Sequence, residues 1–192
     1  QTKAVTMHTC KNCGTMWQPE LKSEEAYKEI YDEHYYQNIW GYSKETDHLV
    51  ARSKYHVSKK FIHLLHEYKK GGTVLEIGCG LGYLLSLLQR DSFCYDCYGI
   101  EISSFAKKVS EDRLGKGRIF SSFADCKKKH LQCDALLFFD SMEHILDQNA
   151  LFADIDALLA DDGIVLVIMP DSGSWTSTFM GKHWLEYKQD HI

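Results

Sequence analysis

The run VLEIGCGLGYLL at residues 74–85 constrains the fold of this chain more than any other stretch. Val74 to Ile77 is short, apolar and partly β-branched, and the turn pair Gly71-Gly72 leads into it, the pattern of a buried strand. Leucines return at 81, 84, 85, 87 and 88 in a helix-forming register. Gly78, Gly80 and Gly82 therefore fall where a strand turns tightly into a helix. Without side chains the backbone there admits a ligand closely, and the first N–H groups of the helix face it. The run reads as a site for a nucleotide-type cofactor.

Alternation of strand and helix continues from residue 73 onward. Strands are predicted near 73–78, 96–102, 117–122, 134–140 and 163–169, and helices near 81–90, 104–113 and 148–160. Asp147 is the expected N-cap of the last helix, and Asp161-Asp162-Gly163 its end. Repeated βα units of this kind give an α/β fold, a doubly wound and mostly parallel sheet with helices on both faces. Ligands in such sheets sit outside the C-terminal strand ends where strand order reverses. That rule selects the Gly-rich turn, Glu101, the Ser122-Phe123 region and the stretch after Phe139.

The front of the chain differs. Residues 1–22 are polar and carry Cys10, Cys13 and Gly14, which mark a small cysteine-containing segment. Residues 23–70 read as a helical extension: Ser23 caps a helix through EEAYKEIYDEHYY, Gly41 interrupts it, and a second helix covers 46–69 with Phe61, Leu64, Leu65 and Tyr68 on its buried side. The aromatic stretch HYYQNIWGY at 34–42 is expected to close over the cofactor as a lid, with core packing as the alternative. Residues 71–192 form the cofactor-binding domain.

Composition narrows the function classes. Hydrophobic residues make up 44% and charged residues 26%, as in ordinary globular proteins, and no apolar run is long enough to span a bilayer. A net charge of −5 argues against nucleic acid as a partner. Seven scattered cysteines, an odd number, read as reduced thiols in a cytoplasmic protein.

The glycine spacing is G-x-G-x-G, with Tyr83 where a dinucleotide fingerprint places its third glycine. Glu76 stands inside the strand before the turn, where a carboxylate is costly without a partner. Glu101 ends YGIEIS, 19 residues beyond Gly82, where an acid can take both ribose hydroxyls. VLEIGCGLG followed by YGIEIS resembles the first two motifs of class I S-adenosylmethionine-dependent methyltransferases. The run from Cys133 to Trp175, with Phe139-Asp140 followed by Met142-Glu143-His144, is similar to the fourth and fifth motifs of a subgroup. That subgroup includes ubiquinone-pathway O-methyltransferases and sugar C-methyltransferases. The resemblance covers roughly residues 72–192.

The resemblance implies a Rossmann-like fold and S-adenosylmethionine as cofactor. It places Gly78 and Gly80 against the methionine part of the cofactor, counts Cys79 and Gly82 of the same turn among the cofactor-binding residues, and gives the ammonium to Glu76. It gives the ribose to Glu101, puts Ile102 on the adenine and Ser122 and Phe123 at the adenine edge, and sets Phe139 and Asp140 beside the methyl donor. Ile102 and Phe139 as plain core, and Ser122 as a strand end, remain the alternatives. An O- or C-acceptor also needs a proton removed. His144 is the first candidate base and His191 the second, with His183 in the same region.

HTCKNCGTMW resembles the second half of a four-cysteine zinc site in those relatives, so Cys10 and Cys13 are candidate zinc ligands with His8 a conceivable third. Relatives continue past Asp190-His191-Ile192 with two more strands, so this reading expects a truncated chain or a sheet completed by another chain. The acceptor implied is a small molecule, a sugar nucleotide or a phenolic compound. A non-catalytic cofactor-binding module and a nicotinamide-dependent oxidoreductase are the competing classes.

Overall fold

The computed structural model describes residues 6–19 and 29–187. Strands β1 (His8–Thr9) and β2 (Met16–Trp17) pair antiparallel as a small hairpin around the Cys10–Gly14 turn. Helix α1 (Glu33–Asn38) follows, started by Asp32, whose side chain accepts from the Tyr35 N–H at 2.9 Å. The single helix expected through residues 24–36 is broken: Glu29 and Ile30 are helical, the chain turns at Tyr31 and Asp32, and α1 starts anew; Ser23 lies outside the described residues. The helix stops before Gly41, as expected, with Gly41 at φ +65°. Helix α2 (Asp47–Tyr68) matches the second expected helix to within a residue at either end.

The rest is a βα series. Strand β3 (Gly72–Ile77), α3 (Tyr83–Gln89), β4 (Tyr95–Ile100), α4 (Ser104–Leu114), β5 (Ile119–Phe120), α5 (Phe123–Lys128), β6 (Cys133–Phe139), α6 (Gln148–Leu158), β7 (Leu159–Ile168) and α7 (Trp175–Met180) follow in chain order. The five strands β3 to β7 form one parallel sheet in the order β5-β4-β3-β6-β7. Strand order reverses at β3, so a crevice opens between the C-terminal ends of β3, β4 and β6. This is the doubly wound α/β sheet expected from the sequence.

Both faces of the sheet are covered, which explains why its strands read as continuous apolar runs rather than alternating ones. Val74, Cys97 and Leu137 pack with Phe61 and Leu65 of α2 and with Leu85 and Leu88 of α3 on one side. Leu75, Ile77, Leu136 and Phe138 pack on the other side with Leu151 and Leu158 of α6. Each fully buried leucine of this kind contributes roughly 1.5–3 kcal/mol by leaving water.

Several expected boundaries move. Strand 117–122 shrinks to Ile119–Phe120, because Ser122 turns into the N-cap of α5, a helix the periodicity did not reveal in six residues. The helix expected to end at Asp161-Asp162-Gly163 ends at Leu158 instead. Those three residues lie within β7, where the pairing shifts from Cys133↔Leu159 to Ala135↔Ile164, and Lys69 Nζ holds the Asp162 carboxylate at 2.8 Å. Strand 134–140 ends at Phe139, since Asp140 turns to φ +49°.

A polar clamp ties the helical extension to the sheet domain. Asp47, the first residue of α2, accepts from Tyr83 Oη and from Arg113 Nη2, each at 2.7 Å. Arg113 also lies over the Tyr83 ring and donates from Nε to the Leu81 carbonyl at 2.9 Å. Residues of α2, α3 and α4 thus meet directly beside the Gly-rich turn.

Candidate cofactor and acceptor site

The exits of β3 and β4 are locked together by backbone. Gly78 and Cys79 both donate their N–H to the Ile100 carbonyl, at 2.9 and 3.0 Å. Gly78 and Gly80 take φ of +74° and +53°, a left-handed conformation that a side chain disfavours. A Cβ on Gly78 would also stand 2.8 Å from the Ser141 Cβ. Ser141 ties the exit of β6 to the same turn by donating to the Ile77 carbonyl at 2.6 Å.

Gly82 does something else. Its Cβ would meet Ser110 at 2.9 Å and Leu114 at 3.2 Å, so its bareness lets α3 pack on α4. It lines neither cavity described below. Cys79 is buried in the α2–α3 core and reaches the larger cleft only at its edge.

Glu101 is the organiser of the crevice. It is 4% exposed, and its two carboxylate oxygens accept from the Gly80 N–H and the Ser103 N–H, each at 2.7 Å. Burial raises its pKa, and the N–H groups of Ser103, Gly80 and Ile102 act against that rise. A carboxylate has about four acceptor positions, so two backbone bonds leave capacity for a pair of hydroxyls.

Glu76 is held differently. Also 4% exposed, it has one oxygen, Oε2, with no hydrogen-bond partner among the described residues. Burial pushes its carboxyl well above the usual carboxylate range, the Glu101 charge adds to the rise, and Lys54 opposes it. A buried carboxylate without a full set of donors is expensive unless it is protonated or paired with a cation.

Two adjoining cavities meet at this turn. One, of about 410 Å³, runs past Gly80, Glu101, Ile102, Ser122 and Phe123. The other, about 1200 Å³, is bounded by Lys54, Glu76, Phe139, Glu143 and Met169. Tyr35, Trp40, Gly78, Asp140 and His144 line both. The aromatic stretch 34–42 therefore sits over the turn, with the Trp40 ring 3.4 Å from where a Gly80 Cβ would be.

The remaining candidates divide by position. Ile102 is half-exposed and lines the smaller cavity. Ser122 is the N-cap of α5, its side chain accepting from the Asp125 N–H at 3.3 Å, and it also borders that cavity with Phe123. Phe139 has one edge on the larger cleft, while its ring packs on Phe61 with centroids 5.2 Å apart, so it serves the core as well. His144 ends the 3-10 turn Met142–His144, and its Nδ1 is 3.4 Å from Tyr31 Oη. His183 is exposed and lines neither cavity. His191 lies outside the described residues.

Lys54 is a site residue the sequence reading missed. It lies on the same face of α2 as Ser58, Phe61 and Leu65, at steps of four, three and four. Following that buried stripe one turn further toward the N-terminus would have found a lysine where a leucine was due.

The expected zinc site does not form from the described residues. Cys10 and Cys13 flank a tight turn, with the Gly14 N–H donating to the Cys10 carbonyl at 2.9 Å. His8 packs its ring against Trp17, and no group of three potential ligands exists among the described residues. Two thiolates are half of a structural zinc set, so no zinc is assigned. Cys94 and Cys97, which also have Cys-x-x-Cys spacing, are exposed and buried respectively. No helix among the described residues is long and apolar enough to cross a membrane.

Comparison with known proteins agrees with this geometry. The model of a methyltransferase-domain family matches residues 47–192. Phosphoethanolamine N-methyltransferase 3 of Arabidopsis thaliana is 30% identical over 137 residues, which is 69% of this chain and 26% of that protein. An uncharacterized protein of Methanocaldococcus jannaschii is 30% identical over 101 residues, 52% of this chain and 38% of that one. The chain spans well under half the length of these curated relatives. Among solved structures, a protein of Pyrococcus horikoshii OT3 superposes with a TM-score of 0.53 at 20% identity, covering 84% of this chain and 68% of that one. The plantazolicin methyltransferase BpumL, in complex with a monoazolic desmethylPZN analogue and SAH, gives 0.52 at 15% identity over 74% of this chain and 58% of that one. These two likenesses concern the fold.

Proposed function

The chain belongs to the methyltransferase-domain family, and from that premise we propose that it transfers the methyl group of S-adenosylmethionine to a small-molecule acceptor. The observation that carries this reading is the buried Glu76 oxygen without a partner, beside a side-chain-free turn and a second carboxylate with spare acceptor capacity. That set fits the cofactor's chemistry: an ammonium for Glu76, a ribose for Glu101, and close passage over Gly78 and Gly80. Tyr83 in place of a third glycine disfavours a nicotinamide dinucleotide.

When bound, the cofactor supplies an already activated methyl group, so the protein's task is alignment, exclusion of water and removal of a proton. Tyr35, Trp40 and Asp140 border both cavities and are proposed to set the line between donor and acceptor. The larger cleft is assigned to the amino-acid end of the donor and to the acceptor, and the smaller one to the adenosine. His144, at the shared wall, is proposed as the base that takes the acceptor's proton, with Tyr31 orienting its ring. His191 stays the second candidate. The domain division at residues 22 and 70 is proposed on the same basis. The acceptor classes proposed are a sugar nucleotide or a phenolic compound. The phosphoethanolamine N-methyltransferase relative adds a small amine as a second reading.

Titration calorimetry with S-adenosylhomocysteine and with NAD tests the cofactor. Heat with the first and none with the second is the expected result, and folded protein that binds neither would end the proposal. Turnover of labelled donor against a panel of hydroxyl, carbon and amine acceptors then identifies the substrate class. With an acceptor in hand, His144→Ala is expected to lower kcat by about 10²–10⁴-fold, the range of a general base, while leaving S-adenosylhomocysteine affinity near that of the wild type. Full turnover in that variant would move the base elsewhere.

A further inference from the structure

The larger cleft is uneven in charge. Among the described residues its walls carry four carboxylates, at Glu76, Asp140, Glu143 and Glu186, against one lysine, Lys54, and no arginine. Glu76 is claimed by the donor's ammonium in the reading above. Lys54 stands near enough to oppose the rise in the Glu76 pKa, so these two belong to one end of the cleft. The other three acids remain for whatever shares that space. Glu143 is the most enclosed of them, 6% exposed on the 3-10 turn Met142–His144, one residue before the candidate base. It borders the larger cleft and not the smaller, whereas Asp140 and His144 border both.

That balance bears on the acceptor. A sugar nucleotide brings a diphosphate, and an anion that meets an excess of carboxylates is repelled. A phenolic or carbon acceptor must become an anion, or nearly so, before it attacks, and neighbouring carboxylates raise the cost of forming it. An amine has the opposite sign throughout. It arrives as an ammonium, and its nitrogen becomes positive again as the methyl carbon bonds to it. Fixed negative charge aimed at the place where positive charge develops lowers the barrier to that step. The rings of Tyr35 and Phe139 add apolar wall to the same cleft, and aromatic faces attract cations as well.

We propose that the acceptor is an amine and that Glu143 binds its nitrogen. The inference rests on the cofactor reading above and chooses among the acceptor classes given there. Glu143 holds the ammonium on entry. His144 takes one proton from it, and the freed lone pair forms the N–C bond to the methyl carbon. The S–C bond breaks with its electron pair staying on sulfur, which leaves a neutral thioether, and His144 passes its proton to water. The methylated nitrogen is again a cation and again faces Glu143.

The test is transfer of labelled methyl by the full chain to matched pairs: phenethylamine with phenethyl alcohol, aniline with phenol, and ethanolamine with ethylene glycol. Uridine diphosphate glucose serves as the anionic acceptor. Wild type, Glu143→Gln and Glu143→Asp are compared, with melting curves to confirm folding and calorimetry to read S-adenosylhomocysteine affinity. At least one amine should be methylated with kcat/KM tenfold or more above that of its hydroxyl partner. Glu143→Gln should raise KM for that amine tenfold or more and leave S-adenosylhomocysteine affinity within twofold of wild type, and Glu143→Asp should recover part of the loss. If Glu143→Gln does not fold, Glu143→Asp carries the test of the residue, since its shorter arm should raise KM for the amine alone. Preference for a hydroxyl compound or the nucleotide, or methylation of none of the amines, would overturn the inference. So would an unchanged KM in a folded variant, or a loss of S-adenosylhomocysteine affinity in step with the rise in KM. A wild-type protein that does not bind S-adenosylhomocysteine would instead bring down the cofactor reading on which this one rests.

Discussion

Replacing Glu101 by alanine is expected to weaken S-adenosylhomocysteine binding by about 1.5–3 kcal/mol, the usual loss for hydrogen bonds to a charged group. The same change should destabilise the empty protein. Both Glu101 oxygens accept from buried backbone donors, the N–H groups of Gly80 and Ser103, so alanine leaves two donors without partners. Each such orphan costs roughly 1–3 kcal/mol, against which the relief of a buried charge is a partial offset, since burial already raises the Glu101 pKa. Glu101→Gln separates the two effects. The amide oxygen can satisfy one N–H, but its NH₂ group faces the other, donor against donor. Glutamine should therefore recover part of the stability and little of the binding. Calorimetry and thermal melts on the three proteins check this, and unchanged affinity in Glu101→Ala would mean the ribose lies elsewhere.

Glu76→Gln should act in opposite directions on stability and on binding. The unfolded chain ionises this residue near the ordinary glutamate value of about 4.3, whereas the empty folded site holds its proton to a higher pH because burial penalises the charge. Between those two values the unfolded state carries fewer protons than the folded one, so stability falls as pH rises through that window. Above it the full cost remains. Glutamine removes the cost, and the empty variant should melt higher than wild type at neutral pH, by roughly 2–4 °C for each kcal/mol recovered. Near the ordinary glutamate value the two proteins should converge.

Binding should suffer in the same variant. The ammonium of the donor loses its anion, and affinity for S-adenosylhomocysteine should drop by about 10- to 150-fold, equivalent to 1.5–3 kcal/mol. Wild type should also release protons on binding, since the arriving cation favours the ionised carboxylate. Calorimetry in buffers of different ionisation enthalpy reads that release, and Glu76→Gln should diminish it. A variant that melts lower than wild type and binds as well would show that Glu76 is structural. A residue that lowers the stability of the empty fold while serving its ligand is the usual compromise at a functional site.

Much of this was legible in the residues because it depends on neighbours in sequence. The Gly-rich turn, Glu76 and Glu101 stand at strand ends, and strand ends follow from local apolar runs and the glycines that stop them. Once a parallel sheet was inferred, the reversal of strand order at β3 put those residues at one crevice. The alternation of elements fixed the fold class, because a run of βα units has few ways to bury both faces of a sheet.

What remained hidden depends on contacts between residues far apart in the chain. Gly82 could not be told from Gly78 and Gly80 by spacing, since its role is set by Ser110 and Leu114 of a helix nearly thirty positions on. Asp161-Asp162-Gly163 fall in the irregular stretch of β7 between the pairings Cys133↔Leu159 and Ala135↔Ile164, and Lys69 receives the Asp162 carboxylate. Local turn chemistry alone pointed to a loop. Lys54 is a charged residue on a helix, normally a solvated position, and only the packing of α2 and Trp40 against the crevice brings it to the wall of the larger cleft. Sequence by itself determined the chemistry at the strand ends and the sheet that gathers it. Tertiary structure decided which side chains from the helical extension face that sheet, because burial and desolvation arise from the whole set of packed elements and from no single one.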